Sequence, residues 1–158
     1  MAGTQARLTA GRIAFVVLAV IVFALDRVTK SLVRANVPYG EEHQAVDHLV
    51  WITNVHNAGA AFGTAPALAS LFLVASAVVA VGLIVYVFRQ PDDVRVNVLL
   101  GLILGGTIGN GFDRVMFGTV TDFIDVHFWP IFNVADSAIS VGVVALIAGY
   151  LLRKPATA

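Results

Sequence analysis

The chain has 158 residues, of which 58% are apolar and 13% are Asp, Glu, Lys or Arg, whereas soluble domains carry about 25% of these charged residues. So much apolar side chain cannot be buried inside so short a chain, which excludes a disordered or ordinary soluble protein and predicts an integral membrane protein of one domain. Ten basic and ten acidic residues cancel, which argues against nucleic-acid binding, and the lack of Cys excludes disulfides and thiolate chemistry.

Four stretches are long and apolar enough to cross a bilayer core of about 30 Å. They are predicted at residues 12–28, 67–88, 96–113 and 133–152. The first also resembles a signal peptide, since Arg7 and Arg12 precede the apolar run and residues 22–24 would fit a cleavage site. We favour a retained span, because residues 26–30 continue at helical spacing. The third stretch is rich in Gly and is predicted to pack between its neighbours.

Four spans would put both termini on one side of the membrane. That side receives six basic residues, namely Arg7, Arg12, Arg89, Arg95, Arg153 and Lys154. The positive-inside rule makes it the cytoplasmic side, so the longer connections at residues 33–66 and 114–131 would lie outside. Function is expected in these connections. Residues 26–37 suggest a helix end at the interface, and residues 45–55 suggest a short strand or hairpin.

Carboxylates gather near the predicted outer ends of the spans, where an ionised group is costly and usually functional. Asp136 has a structural interpretation, with Asn133 as the N-cap of the last helix and Asp136 at position N3. Two carboxylates in one poorly solvated site would share a proton and could hydrolyse a peptide bond by acid–base chemistry. Asp113, Asp122, Asp125 and Asp136 permit several such pairs, and the residues alone do not choose among them.

Other interpretations are weaker or remain open. Asp125 and His127 are compatible with a zinc ligand pair, but no His-Glu-x-x-His pattern occurs, and we expect no metal or cofactor. Arg114 suits either a structural ion pair or a ligand. Asp113 and Arg114 are adjacent and would not face one another on a helix, so each should have its own partner. A proton-coupled transporter would distribute carboxylates through the bilayer depth, and a purely structural subunit would need only capped helices.

Five separated motifs resemble those of the type II signal peptidases, which process bacterial lipoproteins. They are Asp-Arg-Val-Thr-Lys at residues 26–30, Asn-Val-His-Asn-Ala-Gly-Ala-Ala-Phe-Gly at 54–63, Gly-Asn-Gly-Phe-Asp-Arg at 109–114, Val-Thr-Asp-Phe-Ile at 120–124 and Phe-Asn-Val-Ala-Asp-Ser at 132–137. The resemblance covers nearly the whole chain, with the motifs in the expected order. Gly63 stands where many members have Ser, and Gly111 where a larger apolar residue is common. Neither change removes a group that the chemistry needs.

The resemblance implies a fold, an activity and a set of site residues. The fold would be an all-α integral membrane protein with four transmembrane helices, a small extracytoplasmic β-sheet and an interfacial helix. The activity would be that of an aspartyl endopeptidase of the bacterial inner membrane, without metal, which cuts diacylglyceryl-modified prolipoproteins before the lipidated Cys and is inhibited by globomycin. Asp122 and Asp136 would be the catalytic pair. Six residues would support them or the substrate: Asp26, Lys30, Asn54, Asn110, Arg114 and Asn133.

Overall fold

A computed structural model describes residues 9–58 and 66–152 of the chain. The elements in chain order are α1 (Ala10–Asn36), β1 (Glu42–Val46), β2 (Val50–Asn57), α2 (Pro66–Arg89), α3 (Val94–Phe117), β3 (Val120–Asp125) and α4 (Val134–Leu151). Several residues used in the sequence predictions lie outside the described ones: Arg7, Gly63, Arg153 and Lys154. The fold is mostly helical with one small sheet.

Three helices in the described part of the chain are long and apolar enough to cross a membrane. They are Ser70–Arg89, Val94–Phe117 and Val134–Leu151. The first helix is also long, at 27 residues, but Arg12 near its start and several charged residues after Leu25 interrupt its apolar character. Large apolar side chains on the helix surfaces face outward, as Val20 at 61% exposure and Val144 at 65% illustrate. The helices therefore present a lipid-compatible exterior, in agreement with the membrane protein expected from composition.

Helix α3 is the central helix and packs against α1, α2 and α4. Its glycines allow this close approach, because a Cβ added at Gly105 would lie 2.6 Å from the backbone oxygen of Ala19 in α1. At Gly101 the same atom would lie 2.7 Å from the backbone oxygen of Phe15. The Gly-rich stretch thus lies between its neighbours, as small residues in a membrane helix predict.

One end of the bundle carries the α2–α3 turn together with Arg12, Arg89 and Arg95. The guanidinium of Arg12 donates to the backbone oxygens of Val87 and Phe88, both at 3.3 Å, near the end of α2. Asp93 caps α3, and its carboxylate accepts hydrogen bonds from the backbone of Arg95 and Val96. The start of α1 and the α2–α3 turn therefore lie together, at the end of the bundle away from the sheet.

An antiparallel three-stranded sheet in the order β1-β2-β3 covers the opposite end of the bundle. Val33 of α1 and Val37, which directly follows this helix, form a buried cluster with Phe123 of β3. This cluster fixes the sheet onto the end of α1. Residues 26–36 simply continue α1, and no separate interfacial helix occurs among the described elements.

Candidate active site

A buried carboxylate and a half-buried one come together where the sheet meets α4. Asp122 lies in the middle of β3 and is 4% exposed. Asp136 lies in the first turn of α4, where Asn133 is the N-cap and the two residues form a reciprocal capping box. The capping predicted from the sequence is therefore confirmed. It also fixes the rotamer of Asp136, because one carboxylate oxygen accepts the backbone N–H of Asn133 at 3.2 Å.

Two side-chain amides join these carboxylates into one network. Asn133 Nδ2 donates to Asp122 Oδ1 at 2.6 Å and to Asn110 Oδ1 at 3.1 Å. Asn110 Nδ2 donates in turn to Asp136 Oδ1 at 2.7 Å. The two carboxylates are thus coupled through a short chain of hydrogen bonds between side-chain amides.

Beneath the amides, a buried charge cluster holds Asn110 in place. The ammonium group of Lys30 is fully buried and donates to Asn110 Oδ1 at 2.8 Å. It also lies 3.0 Å from Asp26 Oδ2 and 3.0 Å from Asp113 Oδ2. Because Lys30 bonds the amide oxygen, the amide nitrogen of Asn110 is directed toward Asp136.

The two carboxylates of this cluster also hold the backbone next to each candidate catalytic residue. Asp113 Oδ2 accepts the N–H of Thr121 at 3.1 Å, and Thr121 directly precedes Asp122. Asp26 Oδ1 accepts the N–H of Ala135 at 3.2 Å, and Ala135 directly precedes Asp136. The charge cluster thereby fixes both β3 and the start of α4.

Two further arginines complete the charge cluster. Arg27 donates to Asp113 at 2.6 Å and to Asp26 at 2.8 Å, and Arg34 donates to Asp113 at 2.8 Å. Two carboxylates are therefore matched by three cations, which leaves one positive charge next to the Asp122–Asp136 pair. Such an excess favours one ionised carboxylate in the pair.

Burial raises the pKa of Asp122 to about 6, and the neighbouring charge of Asp136 acts in the same direction. Hydrogen bonds from Asn57 and Asn133 and the charge of Lys30 oppose this rise in the pKa. Because like charges in one buried site do not both ionise at low cost, the pair is suited to hold one proton up to about pH 6, above the usual range of an Asp.

Arg114 lies at the border of this network. Its Nη1 donates to the backbone oxygen of Asn110 at 3.4 Å, and its guanidinium lies 5.4 Å from the ring centre of Phe72. It interacts electrostatically with both Asp122 and Asp136. Its Nε is buried and has no hydrogen-bond partner within the described residues. Asp113 and Arg114 have different partners, as their adjacency predicts.

The structure places Asn54 and Asp125 apart from this network. Asn54 Nδ2 donates to the backbone oxygen of Val37 at 2.8 Å and so ties β2 to the end of α1. Asp125 lies at the end of β3, three residues beyond Asp122, and side chains at an odd spacing in a strand point to opposite faces.

Sequence reasoning missed several residues of the network. Asn57 donates to Asp122 Oδ2 at 2.9 Å, and Arg34 Nε donates to Thr121 Oγ1 at 2.7 Å. The alternation of side chains along β2 puts Asn57 on the face of Val55, which pairs with Asp122. The alternation therefore predicts a contact between Asn57 and Asp122 only when the pairing of β2 with β3 is already known.

Comparison with known proteins identifies the family of this chain. The family model described as "Signal peptidase (SPase) II" matches residues 18–152. The lipoprotein signal peptidase of Caldanaerobacter subterraneus is 44% identical over 141 residues, which cover 88% of this chain and 94% of the relative. That of Moorella thermoacetica is 38% identical over 139 residues, which cover 87% and 93%.

Two solved structures of a bacterial membrane enzyme have the same fold. Both have a TM-score of 0.81 to this chain, with 29% and 32% sequence identity. They cover 91% and 89% of this chain, and the match takes in 93% and 94% of theirs. The matches in sequence and in fold extend over nearly the whole chain, and the protein is a member of the signal peptidase II family.

Proposed function

We propose that this protein is an aspartic endopeptidase in which Asp122 and Asp136 are the catalytic pair. As a signal peptidase II it removes signal peptides from prolipoproteins, and the proposal concerns the chemistry and the residues. The observation that carries it is the link Asp122–Asn133–Asn110–Asp136, which couples the buried Asp122 to the half-buried Asp136 by hydrogen bonds of 2.6–3.1 Å. Coupled carboxylates are the groups that acid–base peptide hydrolysis requires.

In the proposed mechanism the pair holds one proton. The ionised carboxylate accepts a proton from water as the water oxygen attacks the scissile carbonyl carbon. The protonated carboxyl donates to the carbonyl oxygen during attack, and a proton is then delivered to the leaving amine as the C–N bond breaks. The raised pKa of Asp122, about 6, supports a shared proton at pH values where an ordinary Asp is fully ionised.

Neighbouring donors would position the peptide and stabilise the developing oxyanion. The buried Nε of Arg114 has no partner in the described part of the chain, so it is available to a peptide carbonyl. Asn110 and Asn133 would orient the carboxylates, while Asp26 and Lys30 would hold Asn110 and the start of α4. Asn54 would support the site indirectly, through the link between β2 and α1. No step in this mechanism requires a metal ion.

We infer that α1 is a fourth span and that both termini are cytoplasmic. Val16 and Val20 of α1 face outward with exposures of 44% and 61%, as lipid-facing residues do. Arg12, Arg89 and Arg95 belong to the end of the bundle away from the site, and basic residues favour the cytoplasmic side. The site would then lie near the extracytoplasmic face of the bacterial inner membrane.

The substrate is inferred to be a prolipoprotein that carries a diacylglyceryl group. An apolar groove of about 300 Å³ runs between α2 and α3 and is lined in part by Ala77, Gly111 and Val115. It lies beside the turn of α3 that carries Arg114, so lipid chains held there would bring the adjacent peptide bond toward the carboxylates. Globomycin-type inhibitors would compete for the same site.

The test uses purified protein in lipid-containing micelles and a diacylglyceryl-modified prolipoprotein peptide. Asp122→Asn and Asp136→Asn should each lower cleavage at least 10³-fold, roughly the loss expected when a general acid or base is removed. Asp125→Asn, on the same strand but the opposite face, is the matched control and should retain activity. Cleavage should persist in a chelator and stop with globomycin. Normal turnover by either active-site variant would overturn the assignment of the pair.

A further inference from the structure

Three potential metal ligands meet on the sheet, away from the peptidase site. They are Glu42 at the start of β1, Asp125 at the end of β3 and His127 just after it, and one ligand atom from each lies within 4.8 Å of the other two. His127 Nε2 lies 3.3 Å from Glu42 Oε1 and 3.7 Å from Asp125 Oδ2. Neither the proposed mechanism nor the charge cluster uses any of these groups.

Strand pairing explains why the groups converge. Trp51 of β2 pairs with Asp125 of β3 on one side and with Gln44 of β1 on the other. Paired residues share a face, and residues two apart in a strand do so as well, so Glu42, Trp51 and Asp125 lie on the same face. Asp122 is three residues from Asp125 and belongs to the opposite face.

Local contacts hold the ligands in place. The His127 ring stacks on the Trp51 indole with a centroid distance of 3.8 Å and an interplanar angle of 19°. The backbone N–H of His127 donates to Asp125 Oδ1 at 2.7 Å, which orients Oδ2 of the same carboxylate toward the His127 ring. The imidazole and one carboxylate are thus largely fixed before any ion binds, which lowers the entropic cost of binding.

The spacing of these atoms fits a tetrahedral transition-metal ion. Zinc bonds to imidazole nitrogen and carboxylate oxygen are about 2.0–2.2 Å long, so tetrahedral ligands lie roughly 3.3–3.5 Å from each other. His127 Nε2 is already at this spacing from its two partners, at 3.3 and 3.7 Å, and the Glu42 and Asp125 oxygens, within 4.8 Å of each other, would move closer together on binding. We propose that Glu42, Asp125 and His127 form a divalent-cation site of the zinc class, with water as the remaining ligand.

Such an ion would connect β1 to the end of β3 across the intervening strand. β1 is an edge strand whose five residues are all exposed, so it has little packing to hold it. An ion bound only by the folded sheet stabilises that sheet by mass action. The role is structural, and the ion lies on the face of the sheet away from the proposed catalytic pair.

The experiment uses full-length protein without a polyhistidine tag, in which Trp129→Phe leaves Trp51 as the only tryptophan. Paramagnetic Ni²⁺ bound beside Trp51 should quench its fluorescence with a saturable one-site curve, and added Zn²⁺ should reverse the quenching. His127→Asn should weaken Ni²⁺ binding at least tenfold, since Asn tolerates the positive φ of 59° at this position. Glu42→Gln, on a separate strand, should also weaken it.

His48 provides the matched control. It too has a positive φ, of 50°, and its Nε2 lies 3.3 Å from Asp47 Oδ1, but the described residues supply no third ligand there. His48→Asn should leave the Ni²⁺ titration unchanged. The proposal is overturned if His127→Asn binds Ni²⁺ like the parent, if His48→Asn loses binding equally, or if Zn²⁺ fails to compete. Circular dichroism of each variant confirms that a loss of binding is not a loss of fold.

Discussion

Replacing Lys30 by Met should shift the pH dependence of cleavage. Three hydrogen bonds of 2.8, 3.1 and 2.6 Å connect Lys30 Nζ to Asp122 Oδ1 through Asn110 and Asn133, so the two charges are at most about 9 Å apart. At an effective dielectric constant of about 20, this attraction is worth about 2 kcal/mol, or roughly 1.4 pKa units. Loss of the ammonium should therefore raise the pKa of Asp122 further above its present value of about 6.

The shift should appear on the alkaline side of the activity profile. The pKa of about 6 describes loss of the proton that Asp122 holds against the charge of Asp136, and cleavage requires that shared proton. We expect the alkaline limb of kcat/KM to begin near pH 6 in the parent and about one unit higher in Lys30→Met. The measurement is cleavage of the lipidated peptide between pH 5 and 9.

A matched variant separates this effect from a general change in charge. Arg89→Met removes one positive charge at an exposed position at the end of α2 and should leave the alkaline limb unchanged. The Lys30 variant should also unfold about 3 kcal/mol more easily, because buried carboxylates lose a partner. An alkaline limb that stays in place or moves to lower pH in Lys30→Met would refute the electrostatic link between Lys30 and Asp122.

Two predictions concern stability. The folded-state pKa of Asp122 is about 6 against an unfolded value near 3.8, so the folded state binds this proton more tightly, and its stabilisation is complete below pH 3.8 and lost as the pH rises through 6. Relative to Asp122→Asn, the parent should lose about 2 kcal/mol of unfolding free energy between pH 4 and pH 7, measured by denaturant titration in micelles; parallel curves would contradict this. Gly105→Val should lower the unfolding free energy by at least about 2 kcal/mol, because its Cβ would lie 2.6 Å from the backbone oxygen of Ala19. Gly149→Ala is its control, since a Cβ there meets no atom within 4 Å.

Local sequence signals predicted the helices and the cap of α4. The uncharged run that becomes α2 and the Gly-rich run that becomes α3 each depend only on composition and spacing, which are local properties. The cap formed by Asn133 and Asp136 is equally local, because its groups are three residues apart. The end of the third apolar stretch was predicted at residue 113, but α3 continues to Phe117. Gly118, with a positive φ of 73°, ends this helix.

The sequence does not reveal in the same way which polar side chains contact one another in the folded chain. Four carboxylates were candidates for the pair, and the motifs favoured Asp122 and Asp136 only by resemblance. In the folded chain two of the four carboxylates are set apart from the pair. Asp113 is neutralised by Lys30, Arg27 and Arg34, and Asp125 lies on the other face of the sheet. Asn54 and Asn57 show the same limit, because only strand register directs Asn57 to Asp122 and Asn54 to Val37.

The sequence by itself determined that this is a membrane protein with charges concentrated outside its apolar segments, because hydropathy and helical length are properties of neighbouring residues. Only the tertiary structure decided how those charges are used. It places three cations around two buried carboxylates and joins Asp122 to Asp136 through two amides. These contacts link residues as far as 109 positions apart, as between Asp26 and Ala135. Packing around α3 brings these distant residues together, and no pattern among neighbouring residues in the sequence predicts their contacts.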